Sequence, residues 1–434
     1  MVHPSPKKDF QVAVVGGGVC GLACAIALHR AGVPVRLFEA AAKFGEIGAG
    51  LGVGPNAVRA LDKMGLLDAI LKKVNPAELK ARSFSFYEGL SDNHEAFFTY
   101  PTLPEDKAIG IHRAVFLDAL VDVLDSSIAY FNKRCTSITE SPTKPQRLVI
   151  HFQDGTTHEA DVVLGADGVK SSVRNFIVDG PDRRLAFSHT VAYRGLIPWS
   201  QLEAAGFKID VSDHPVCITG PSKHFILFPI KDGAVINVVA FSARYDIPIG
   251  VGEVNEKAQW VEAVSKNVLF KEYEGWGPDV EALLKCMPDK PGKWSIHVVH
   301  PPLESYAKGR IALLGDAAHA MLPHMGAGAG QGIEDAYFLS RLLSHPETNT
   351  DNTEQAVLQV YSRIRQPRAQ MVWEGSRYAG RVYDMHGPSE PTAEGIRKDL
   401  TDMYHPVWHH DMEADVERAV ASLRDSGAFT GSSQ

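Results

Sequence analysis

The chain has no apolar run near the roughly 20 residues that a bilayer-spanning helix needs, which excludes a membrane-spanning segment. It also lacks any block of basic residues, and its formal net charge is -8. That argues against nucleic acid or an anionic membrane surface as the main partner. Cysteine is sparse: Cys20, Cys24, Cys135, Cys217 and Cys286 are an odd, scattered set of five with no C-x-x-C or other metal-type pair. No metal site is expected, and a reducing, cytosol-like compartment is. The polar start, Met1 to Asp9, has no apolar core of a signal sequence, and Gly431 to Gln434 match neither a peroxisomal address nor a lipidation box. The expected location is cytoplasmic. Internal repeats and low-complexity segments are absent as well.

What is present is ordinary globular composition, 44% hydrophobic and 22% charged, over 434 residues. That length exceeds one ordinary core and predicts two domains. The chain opens with a complete βαβ unit. Phe10 to Val15 reads as a strand buried on both faces. Gly16-Gly17-Gly18-Val19-Cys20-Gly21 breaks it, and Leu22 to Ala31 carries helical spacing up to Gly32. Val33 to Glu39 is the second strand. Further helices are predicted over Asn56 to Lys72, over Arg113 to Leu124 and from about Gly330. Between about Arg184 and His300 the chain alternates like an antiparallel sheet, as in Phe225 to Ile230 and Val235 to Val239.

The predicted class is therefore α/β: a Rossmann-type domain with an inserted antiparallel-sheet domain and C-terminal helices. The boundaries expected are 1–183, with about 80–105 joining the inserted sheet, then 184–300, 301–345 and 346–434.

Gly16, Gly18 and Gly21 stand between strand and helix, as a dinucleotide fingerprint requires. The first permits the tight turn, the second lets backbone approach a pyrophosphate, and the third brings helix against strand. Glu39 ends the next strand, where an acid can accept hydrogen bonds from ribose hydroxyls. This unit alone does not separate NAD from FAD. Two later segments carry further signals. Gly165-Ala166-Asp167-Gly168-Val169-Lys170-Ser171-Ser172-Val173-Arg174 has the pattern D-G-x-x-S-x-x-R. Gly315-Asp316-Ala317-Ala318-His319-Ala320-Met321-Leu322-Pro323 precedes a glycine turn, Gly326 to Gly332. A carboxylate after a buried strand, such as Asp316, is placed to bind ribityl hydroxyls or to cap a helix. Gly328 and Ala329 open a helix whose N–H groups can approach a flavin ring or pyrophosphate.

With these three segments in this order, the chain resembles the group A flavoprotein aromatic hydroxylases. The resemblance implies bound FAD, with NADH or NADPH as a transient electron donor, since no second G-x-G-x-x-G unit is present. It implies flavin contacts for Arg113 and joint flavin and nicotinamide service for Asp167. It is nearest to the salicylate hydroxylases in Gly45 to Gly50, Gly54 to Arg59, Ala192 to Gly195, Phe228-Pro229-Ile230, Met321 to His324 and Trp408 to Asp411. It then implies transfer of an oxygen atom from a flavin hydroperoxide to a phenol, with decarboxylation of salicylate to catechol as the expected reaction.

His324 is the candidate to deprotonate the phenol, because imidazole titrates near neutrality. Arg194 pairs with a substrate carboxylate or with the flavin, because a guanidinium forks onto either anion. Phe228, Met321 and Pro323 are expected pocket walls. Relatives that dearomatise fungal polyketides carry tyrosine at the place of Phe228, which favours salicylate. The competing expectations are another phenol (hydroxybenzoate, hydroxynicotinate or a polyketide phenol) and a non-catalytic binding protein on the same fold. The lack of a W-x-W-x-I-P segment weighs against a halogenase. Expected partners are a small aromatic acid and O₂, with the chain a monomer or homodimer.

Overall fold

The structure, a computed structural model, describes residues 8–45, 50–144, 146–182, 184–252 and 260–431. Residues 46–49, within the Gly45 to Gly50 segment quoted above, lie outside the described residues, as do most of the two termini. The apolar run Val12–Val15 is the centre of a six-stranded sheet and is buried along its whole length. It pairs in parallel with Val162–Gly165 on one side and Val35–Phe38 on the other. Ile311–Leu313 extends the sheet beyond Val162–Gly165, and Ala129–Tyr130 extends it beyond Val35–Phe38. Helix Val19–Arg30 follows the glycine turn, and helix Gly328–Ser344 packs against it. The three fingerprint segments, distant in sequence, thus leave the same ends of neighbouring parallel strands.

The alternating region forms an eight-stranded sheet. Its order is Val261–Ala263, Gly292–Val299, Leu185–Pro198, Val235–Ala243, Lys223–Ile230, Val216–Gly220, Phe84–Glu88 and Phe98–Tyr100. One pair departs from the antiparallel expectation: Val216–Gly220 runs parallel to Phe84–Glu88, because the latter strand arrives from the first third of the chain rather than through a hairpin. The helix expected over Asn56 to Lys72 is two helices, Pro55–Lys63 and Leu67–Leu71. Gly65, at φ 68, adopts the left-handed conformation that ends the first. The long helix Leu358–Tyr383 crosses behind both sheets and tolerates Pro367 in its interior. No helix among the described residues is long and apolar enough to cross a membrane.

Candidate active site

The glycine turn is closed by direct backbone contact. A Cβ on Gly21 would stand 2.0 Å from the Gly16 carbonyl oxygen, and one on Gly16 would stand 2.3 Å from that of Ala166. Any side chain there separates helix from sheet. Gly18, by contrast, has nothing within 4 Å of its Cβ position and forms part of a cavity wall. The turn therefore presents bare backbone and the start of a helix to that cavity, which suits a pyrophosphate.

Glu39 stands behind the turn, its two carboxylate oxygens accepting from Gly17 N and Ala41 N at 2.7 Å each. Each oxygen keeps a second lone pair for another donor.

The cavity, of about 470 Å³, runs from the glycine turn to the face of the eight-stranded sheet. Gly328 and Ala329, at the start of helix Gly328–Ser344, form part of its wall, as do Arg113, Asp316 and Gly168. Asp316 is exposed between buried neighbours and makes no hydrogen bond among the described residues. Arg113 begins its helix behind His112, whose Nδ1 accepts from Ala114 N.

Asp167 belongs to the fingerprint turn itself. It does not line the cavity, because its carboxylate accepts from Ser171 Oγ and from the backbone N–H groups of Ser172 and Val173, which folds the fingerprint turn. Burial raises its carboxyl pKa against those bonds. Arg174 of the same fingerprint is buried and donates to Ala317 O at 2.9 Å, joining this turn to the Asp316 helix.

Beneath these turns lies a charge cluster that pattern reading passed over. Arg365 bonds Glu334 at 2.7 Å and Asp335 at 2.8 Å, and Arg368 bonds Glu334 at 3.0 Å; all four are buried. Asp335 also accepts from Gly315 N and pairs with His319 at 2.7 Å. Asn56 donates to Glu334 at 2.7 Å. Burial alone would raise the Glu334 carboxyl, but Arg365 and Arg368 overcome it and hold the group well below its ordinary value. His319 is accordingly a brace. The one signal for the cluster is Glu334-Asp335 within the apolar face of a buried helix, facing Arg365 and Arg368 in another.

The opposite wall belongs to the eight-stranded sheet. Phe228 and Asn237 are cross-strand partners, and both meet Gly50. Gly50 N donates to Asn237 Oδ1 at 2.9 Å, and a Cβ on Gly50 would fall 2.6 Å from the Phe228 ring. Met321, Leu322, Pro323 and His324 close this end. Their segment is fixed by the long helix: Trp373 Nε1 donates to Ala320 O, and Ser376 Oγ donates to Leu322 O. Tyr404 and Trp408, stacked 4.8 Å apart, complete the lining, and Asp411 caps the last helix.

Two polar groups face this end without satisfaction. Arg194 lies over the Trp294 ring at 4.8 Å, and its Nε is buried with no hydrogen-bond partner among the described residues. Burial and the neighbouring Arg113 pull its pKa down to about 10, so it remains a cation at neutral pH. His324 is buried, and its Nδ1 likewise has no partner among the described residues. Burial, then the His224 ring beside it, holds its pKa well below 6.5, so it is neutral.

The structure thus brings Gly18, Arg113, Asp316, Gly328, Ala329, Arg194, His324, Phe228, Met321 and Pro323 to one cavity, while Gly16, Gly21, Glu39 and Asp167 lie outside its lining. The open Gly18 backbone, the unbonded Asp316 carboxylate and the free helix start fit FAD.

Comparison with known proteins agrees. The FAD binding domain family matches residues 9–180 and 203–376. A salicylate hydroxylase of Pseudomonas putida is 39% identical over 424 residues, covering 95% of this chain and 94% of that protein. The FAD-dependent monooxygenase pigN of Monascus ruber is 32% identical, over 96% of this chain and 98% of that one. A solved salicylate hydroxylase substrate complex superposes with a TM-score of 0.81 at 32% identity, covering 94% of this chain and 98% of that one.

Proposed function

The chain belongs to the FAD-dependent aromatic hydroxylases, and from that premise we propose that it is an NAD(P)H-dependent salicylate 1-monooxygenase. The observation that carries the reading is the pairing, on one cavity wall, of an Arg194 guanidinium with an unsatisfied Nε and a neutral, buried His324. An ortho-hydroxybenzoate offers one group for each. Its carboxylate meets the cation, and its hydroxyl meets the imidazole.

The chemistry supplied by bound FAD is activation of O₂ after reduction by NADH or NADPH. Gly16, Gly18 and Gly21 and the helix behind them would hold the pyrophosphate, and Glu39 would serve the adenosine ribose. Asp316 and Arg113 would hold the ribityl chain and flavin, together with the N–H groups at the helix start, Gly328 and Ala329. Phe228, Met321 and Pro323 wall the aromatic ring in and exclude water. His324 accepts the hydroxyl proton, and the resulting phenolate directs attack to the ring carbon that bears the carboxylate. Loss of CO₂ from that carbon restores aromaticity and leaves catechol, while the second oxygen atom departs as water. The similarity to salicylate hydroxylases over nearly the whole chain supports the same substrate.

The test is to purify the yellow protein and follow NADH and NADPH oxidation with and without salicylate. Salicylate-stimulated oxidation with equal yields of catechol and CO₂ is expected. Oxidation that yields only hydrogen peroxide would move the assignment to another phenol.

A further inference from the structure

The cavity is longer than salicylate. Across the eight-stranded sheet Arg194 pairs with Val239, Val239 with Ile226, Ile226 with Cys217 and Cys217 with Phe86. Side chains in such a row share one face, and Phe84, two residues before Phe86, shares it too. Four strand spacings, roughly 19 Å in all, separate Arg194 from the strand of Phe84. Arg194, Val239, Ile226 and Phe84 all line the cavity, which therefore follows the sheet face from one end to the other. A salicylate held at Arg194 is a single ring long and covers less than half of that floor.

The far lobe has apolar walls. Phe84 meets the Tyr404 ring edge to face at 6.0 Å, and Tyr404 stacks on Trp408 at 4.8 Å. Ala108 adds only a methyl to the lining. Its place follows from its strand: a Cβ on Gly110 would fall 3.6 Å from the Phe228 ring, and Ala108 lies on the same face one step further on, cross-strand from Lys80. The two charged residues in this part of the wall are already engaged. Asp106 is hydrogen-bonded to His409 at 2.7 Å, and Arg82 is paired with Glu78. Arg82 keeps one buried Nε–H without a partner among the described residues, enough for a neutral acceptor, while Glu78 balances its charge.

His324 sets the direction of the bound ring. Its imidazole stands 5.1 Å from Phe241 and 5.0 Å from His224, which belong to the next two strands from Arg194 in the direction of Phe84. With the carboxylate on Arg194 and the hydroxyl on His324, the ring carbon para to the carboxylate points away from Arg194 along the floor.

The geometry points to a substrate class larger than salicylate: an ortho-hydroxybenzoate that carries an apolar aromatic group para to its carboxylate, seated against Phe84, Tyr404 and Trp408. It rests on the reading of Arg194 and His324 given above. Salicylate is the head group of that class, and the reaction at the head is unchanged. Phe84 and Trp408 determine which tails are accepted, because an aromatic wall without a free charge suits an uncharged ring.

The experiment titrates the FAD-loaded protein with salicylate and with 4-phenylsalicylate, without NADH, and reads the flavin absorbance. Wild type is expected to bind 4-phenylsalicylate about tenfold more tightly than salicylate, because a second ring leaves water. Ala108→Phe fills the lobe beyond Phe228. It should weaken 4-phenylsalicylate by about tenfold or more and leave salicylate within about twofold. If wild type binds salicylate but holds 4-phenylsalicylate no more tightly, the proposal falls, the lobe is a solvent passage, and the salicylate reading stands. The proposal falls too if Ala108→Phe changes both affinities alike or changes neither. Should Ala108→Phe lose FAD, Ala108→Leu decides by the same comparison. Binding of neither ligand would remove Arg194 as a carboxylate anchor, and both readings with it. Binding of 4-phenylsalicylate alone would keep the lobe and move the substrate away from salicylate itself.

Discussion

The two sides of the cavity handle buried charge differently. On the cofactor side, Glu334, Asp335, Arg365 and Arg368 form a closed set of ion pairs, two carboxylates against two guanidiniums. On the substrate side, Arg194 has no carboxylate partner among the described residues, and one nitrogen each of His224 and His324 is buried without a hydrogen-bond partner among them. The cofactor side has an orphan too, His319 Nδ1, but its charges are matched. A matched buried network rigidifies what surrounds it, here the two segments that meet at Gly315 and Gly332. An unmatched group loses hydration with no return until a ligand arrives. One wall is finished in the folded chain, and the other keeps unpaired polar groups.

The largest effect should come from damaging the finished wall at its tightest point. Gly21→Ala places a Cβ 2.0 Å from Gly16 O, so helix Val19–Arg30 must move off the sheet. The expected outcome is a folded protein purified colourless, with FAD affinity reduced at least about 100-fold, near 2.7 kcal/mol. Flavin absorbance per polypeptide measures it. A yellow Gly21→Ala protein would mean that this turn does not hold the cofactor.

A smaller, two-sided effect separates matched from unmatched charge. Arg365→Met leaves Glu334 and Asp335 buried with one guanidinium fewer, and should lose about 3–5 kcal/mol of unfolding free energy. Arg194→Met removes a cation that no carboxylate neutralises. It should leave stability within about 1 kcal/mol of wild type while weakening salicylate binding by about 10- to 100-fold. Denaturant unfolding and salicylate titration of the flavin spectrum give both numbers for both proteins. Equal destabilisation by the two substitutions would make Arg194 a structural residue.

The finished wall was also the more legible in sequence. A turn that only glycine can make leaves an unambiguous mark, so Gly16, Gly18 and Gly21 could be read with their strand and helix in place. So could Gly328 and Ala329, which open a helix. For Asp167 the sequence left the role open, because a side chain folded back onto its own turn looks, in sequence, like one that faces a ligand. The single helix expected over Asn56 to Lys72 failed at Gly65, where apolar periodicity on either side masked one left-handed residue. The His224–Asp384 pair behind His324 was not legible at all. His224 sits near the start of a strand, Asp384 follows a helix 160 residues later, and only packing brings them to 2.7 Å. The same holds for Arg365 and Glu334, whose spacing follows no local period.

The smallest expected effect falls at the joint between the two walls. Asn237 belongs to the substrate sheet, is buried, and accepts from Gly50 N of the short strand that runs toward the cofactor. Asn237→Ala leaves that N–H without its acceptor, a loss of about 1 kcal/mol. Phe228 still packs on Gly50, so the strand keeps its place with less restraint. Flavin content should therefore equal that of wild type, since the pyrophosphate turn and the ion-pair cluster are untouched. The change should appear as a modest drop in Tm and a few-fold weaker salicylate binding. Asn237→Asp, which keeps the acceptor oxygen, should recover most of the Tm loss. If Asn237→Ala instead released FAD as Gly21→Ala does, the two walls would be one cooperative unit, and the contrast between them would describe hydrogen-bond partners without describing how the site is held.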